Sequence, residues 1–93
     1  MNKKKLNLAR KKIDLVDKNI FKLIKKRTKI VNHMLSLKKF KNEIIDHKRI
    51  NEIIRKIKKK SLSSNIDPKI TTRIWKTMIW SYIDYQKRNF KKK

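Results

Sequence analysis

Six side chains in this 93-residue chain have the types and spacing of a binding chemistry: Arg10, Arg27, Lys38, Asp46, Arg49 and Gln86. Arg27 is the most informative. In "NIFKLIKKRTKIVNHML" the apolar residues Ile20, Leu23, Ile24, Ile30, Val31 and Met34 recur at the spacing of one helix face. Arg27 occupies the next place on that face, although only six of the 30 basic residues are arginine. The plain alternative is a snorkelling side chain at the edge of the stripe. Lys38 follows 11 residues later, which returns to within about 20° of the same helical direction and roughly 16 Å along the axis. Two such cations leaning inward suit opposite ends of one small anion. Arg10 points about 100° away from Arg27, so it fits better in a pocket completed by a second chain. Arg49 opens a second helical segment, and Asp46, three residues earlier, reads most simply as its N-cap. Gln86, the only glutamine, sits one turn after Tyr82, just beyond an apolar face.

These residues need elements to hold them. With no glycine and a single proline, Pro68, the chain is poorly supplied with tight turns. Apolar periodicity predicts three helices. The first covers about 6–37, from Leu6 and Ala9 through Ile13, Val16 and Ile20 to Leu37. The second covers about 46–60 and carries Ile50, Ile53, Ile54 and Ile57. The third begins at "DPK", where Asp67 caps and Pro68 suits the first turn. It runs through Ile70, Ile74, Trp75, Met78, Ile79, Tyr82 and Ile83 to about Phe90. Breaks are expected at "KFKNEII" (39–45) and "SLSSN" (61–65). One domain spans the whole chain, with its core at about 6–90 and basic tails at both ends. The first helix, close to 48 Å long, is too long for a compact globule of this size. A second copy covers its apolar face better than two short helices can, so a dimer is expected.

The formal charge of +23, from 30 Lys+Arg against 7 Asp+Glu, suggests nucleic-acid binding. Compositional bias explains it more simply: lysine, isoleucine and asparagine share A/T-rich codons, and the lysines are dispersed along the chain. A basic DNA-binding protein would want a short recognition helix after a tight turn, or a basic region leading into a zipper. Neither is visible. The absence of cysteine removes disulfides and thiol chemistry, and the two isolated histidines offer no metal site. No apolar run is long enough to span a bilayer, and the N-terminus lacks a signal-peptide core. A cytoplasmic location without a membrane or metal is therefore expected.

Taken in order, Arg10, Arg27, Lys38, Arg49 and Gln86 on long–short–long helices resemble the all-helical class of chorismate mutases. The resemblance covers about 6–90. It includes "LARKKIDLVDKNIFKLIKKR", similar to that family's first-helix pattern of Arg, Ile-Asp, a second Asp, then Arg. It implies an all-α fold of three helices, paired into an intertwined six-helix homodimer with shared active sites. It also implies a dicarboxylate substrate, chorismate, rearranged to prephenate in aromatic amino-acid biosynthesis without a cofactor. By resemblance, Arg27 and Arg10 of the second copy hold the carboxylates, Lys38 and Gln86 donate to the ether oxygen, and Arg49 and Asp46 line the pocket.

Three departures stand against the usual pattern. Ile50 replaces the glutamate that follows the second-helix arginine and accepts from the ring hydroxyl. The segment from Lys38 to Arg49 is one residue shorter, and Tyr82 replaces a small hydroxyl residue. These features resemble a sister group on the same fold, the isochorismate pyruvate lyases of salicylate synthesis. Mutase is the first reading, lyase the alternative, and a basic helical nucleic-acid binder a remote third.

Overall fold

The structure is a computed structural model that describes residues 2–91. Met1, Lys92 and Lys93, the outermost residues of the basic tails, lie outside the described residues. The described residues form three helices and no strand: α1 (Lys3–Leu37), α2 (His47–Ser63) and α3 (Pro68–Asn89), with a 3-10 turn at Lys41–Glu43. The long–short–long order follows the periodicity, and 35 residues make α1 about 52 Å long. Among the described residues, no helix is long and apolar enough to cross a membrane.

The helix ends differ from the sequence expectation in instructive ways. α1 begins three residues early because the Asn2 side chain accepts the Lys5 N–H (3.1 Å). The following lysines are good helix formers. α2 continues through Ser61, Leu62 and Ser63, residues that composition assigns to a loop. Ser61 is buried, and its hydroxyl bonds Ile57 O and Thr71 Oγ1, each at 2.6 Å. That contact clasps the end of α2 to the start of α3. The helix then closes with Ile66 N–H on Ser61 O (2.9 Å) and Asn65 N–H on Leu62 O (3.4 Å). This is the Schellman pattern, in which the residue after the cap adopts a left-handed conformation. Asn65 supplies it at φ 57°, since asparagine tolerates that region better than other residues with a Cβ. α3 starts as expected, with Asp67 accepting the Lys69 N–H (2.9 Å) and Pro68 in the first turn.

By internal contact the chain divides into two units, Met1–His33 and Met34–Lys93. The first is the body of α1. Its stripe residues Ile13, Val16, Ile20, Leu23 and Ile30 are all exposed, Leu23 by 65%, whereas Arg27 is half-buried. In the second unit α2 packs on α3. Its core is Ile44, Ile79 and Ile83, surrounded by half-buried Leu35, Ile45, Ile50, Ile53, Ile54, Trp75 and Phe90. The periodicity also places Ile70 and Ile74 on the apolar face of α3, yet both stay exposed. Three buried residues make a small core even for a chain of this size.

Candidate active site

The site is built where α1 ends. Lys38 follows the last residue of α1, and its N–H still bonds Leu35 O (3.1 Å). The chain then leaves the helix, so the Lys38 side chain is carried by a short connector rather than a regular element. On α3, Gln86 lies one turn beyond the core residue Ile83 and is buried, with 7% of its surface exposed. Lys38 Nζ donates to Gln86 Oε1 at 2.9 Å, joining residues 48 positions apart.

This contact orients the amide. An ammonium group only donates, so the oxygen of Gln86 must face Lys38 and its NH2 must point elsewhere. Lys38 retains two further N–H donors. The pair therefore presents a cationic donor and a neutral donor from one place, an arrangement suited to an oxygen that gains negative charge. Burying the amide strengthens this, because an electrostatic contact is worth more away from water.

The surrounding residues are placed as follows. Tyr82, one turn before Gln86, is half-buried and meets Tyr85 edge-on, with ring centroids 6.5 Å apart at 90°. Asp46 is the N-cap of α2: its Oδ1 accepts the Arg49 backbone N–H at 3.0 Å. The Arg49 side chain is exposed, with Nη1 3.7 Å from Glu52 Oε2, a surface pairing of little energetic weight. Ile50 is half-buried against the isoleucine core. Two of the singled-out residues lie in the first unit. Arg10 is exposed, with Nη1 3.4 Å from Asn7 Oδ1, and Arg27 is half-buried. Thus the second unit joins Lys38 to Gln86 and Asp46 to the Arg49 backbone. The shallow groove between α2 and α3 that includes Lys48, Arg55, Lys76 and Trp80 involves neither Lys38 nor Gln86.

One residue escaped the sequence reading. Glu43 Oε2 accepts both the Lys39 N–H (2.7 Å) and the Phe40 N–H (2.9 Å), directly after Lys38. The Phe40 N–H is the main influence holding this carboxyl below its ordinary value; desolvation, the next largest, opposes it, and the Lys39 N–H and the Lys38 and Lys39 charges add to the lowering. A depressed carboxylate value means the interaction is present at neutral pH and lost as pH falls through that lowered value. A glutamate three residues after a non-helical position is the reaching-back half of a capping box, a signal available in "FKNE".

The match to known families accords with this geometry. The description of chorismate mutase type II fits residues 9–87, a span that contains all six singled-out residues. No curated protein and no solved structure matches the chain. With most of its length matched and an all-helical fold, the chain belongs to the chorismate mutase type II family.

Proposed function

We propose that the protein is a chorismate mutase that acts as a homodimer with shared pockets. The observation that carries this reading is the part-buried Lys38–Gln86 contact, which orients two donors from one place. The rearrangement of chorismate is pericyclic: the ether C–O bond breaks as a C–C bond forms, with no nucleophile, metal or net proton transfer. What a protein supplies is a folded substrate and stabilisation of the charge that develops on the ether oxygen. Lys38 Nζ and the Gln86 NH2 are the donors to that oxygen. Arg27 binds one carboxylate with its two-pronged guanidinium. Arg10 of a second copy binds the other, while Arg49 and Asp46 line the pocket.

The exposed apolar face of α1 supports the dimer. Ile13, Val16, Ile20, Leu23 and Ile30 together would gain several kcal/mol from burial at about 1.5–3 kcal/mol per side chain. In the second unit, Ile70 and Ile74 on α3 are exposed as well.

Ile50 favours a second reading, isochorismate pyruvate lyase. It packs against the core and has no polar atom to receive a ring hydroxyl. The mutase comes first because the matched family description is chorismate mutase type II and a ring hydroxyl can be satisfied by a backbone carbonyl or water. Purified protein assayed with each substrate separates the two. Prephenate formed from chorismate, at a kcat/KM at least about tenfold above that for isochorismate, supports the mutase. Salicylate and pyruvate from isochorismate, with no turnover of chorismate, would replace it with the lyase.

A further inference from the structure

We infer that Glu43 is a positioning residue for Lys38, stapling the connector so that the ammonium group is held at Gln86. The inference rests on the role proposed above for Lys38. Its basis is how little else fixes this connector. Lys38, Lys39 and Phe40 lie between α1 and the 3-10 turn, outside any helix. Phe40 is 66% exposed and therefore does not anchor the backbone by packing. Beyond the Lys38 N–H on Leu35 O (3.1 Å), what ties the connector down is one carboxylate oxygen that receives two consecutive amides, at 2.7 and 2.9 Å.

The other end of the staple is firmly attached. Glu43 lies in the turn closed by its own N–H on Phe40 O (3.1 Å) and by Ile44 N–H on Lys41 O (3.2 Å). The next residue, Ile44, is 4% exposed and packs with Ile79 and Ile83 of α3. Gln86 is one turn along α3 from Ile83. A continuous physical path therefore runs from α3 through Ile44 and Glu43 to the amides just after Lys38, and the Lys38–Gln86 bond closes the loop. The carboxylate is ionised at neutral pH because those amides favour its charged form, and bonds to a charged acceptor are about twice as strong as neutral ones. Without the staple the amides turn to water, and Lys38 swings on a loose connector.

A double-mutant cycle in the full chain, assayed with chorismate, tests this. Glu43→Ala should lower kcat by roughly tenfold or more, since small misplacement of a catalytic group is costly, with a smaller change in KM. E43Q, which keeps an oxygen at the same reach, should restore most of the loss. In a Lys38→Met background Glu43→Ala should have no further effect on kcat, because the group it positions is gone. An additive loss in that background, or E43Q no better than alanine, would overturn the inference. So would unchanged kcat in Glu43→Ala. If alanine prevents folding, E43Q alone is measured in both backgrounds. A deficit from its weaker neutral bonds that vanishes beside Lys38→Met supports the staple; a persistent deficit or none refutes it. Should Lys38→Met itself leave kcat untouched, the reading of the whole site fails and this inference with it, a result distinct from failure of the staple alone.

Discussion

Arg27→Lys is expected to leave the helices intact and to remove most of the activity. The substitution keeps the positive charge and the helix propensity, so a residue that merely snorkels from the stripe would tolerate it. A carboxylate-binding residue would not. The guanidinium offers a planar fork that meets both carboxylate oxygens, whereas the ammonium is a point charge on a flexible stem. Losing one charge-assisted hydrogen bond costs about 1.5–3 kcal/mol, or roughly 10- to 150-fold in kcat/KM. Circular dichroism should be unchanged while steady-state kinetics with chorismate register the loss. Near-normal turnover would return Arg27 to the status of a surface cation whose half-burial has no catalytic meaning.

Lys38→Met should act more strongly on kcat than on KM. Methionine approximates the length of the lysine stem but donates nothing, so in the proposed mechanism the transition state loses one of its two donors to the ether oxygen. Removing one such donor lowers kcat by about 10²–10³. A second consequence follows from the geometry. Gln86 Oε1 loses its partner in a nearly buried position, which costs about 1–3 kcal/mol if the oxygen stays unpaired. The amide can also turn over and present its oxygen to the ether, opposing the reaction. Kinetics and a thermal melt on the same variant check both effects: a large fall in kcat with modest destabilisation is expected. A large fall in stability with normal kcat in the folded fraction would make the Lys38–Gln86 bond structural only.

Periodicity made the helices legible, because burying one face of a helix leaves a repeat that needs no knowledge of the partner. It marked Ile50, Ile53, Ile54 and Ile57, all half-buried in the structure, and Ile79 and Ile83 of the core. Local capping was equally readable: Asp46 and Asp67 cap as their chemistry suggests. What failed was anything decided by a residue distant in sequence. Ser61 reads as a loop residue until Thr71, on the next helix, offers its hydroxyl. Lys38, one of 24 lysines, was an exception: the resemblance had paired it with Gln86, and the packing of α3 brings the two into contact. Glu43 was missed for a different reason: its signal was local, but a capping pattern at a single 3-10 turn is easily passed over beside two long helices. Arg27 stood out because a cation in an apolar stripe contradicts the period around it, and the structure shows it half-buried.

The central claim is that each pocket needs two copies of the chain, and subunit mixing tests it most directly. Arg10→Ala and Arg27→Ala chains are purified separately, mixed, allowed to exchange, and assayed with chorismate, with exchange verified by mass. Each homodimer lacks an arginine in both pockets and should be nearly inactive. A mixed dimer has one pocket missing both arginines and one with Arg27 and Arg10 intact. With random exchange half of the dimers are mixed, so activity should rise to about a quarter of the wild-type level. Activity that stays at the sum of the two inactive proteins after verified exchange would contradict the shared pocket, leaving Arg10 to serve its own chain or nothing.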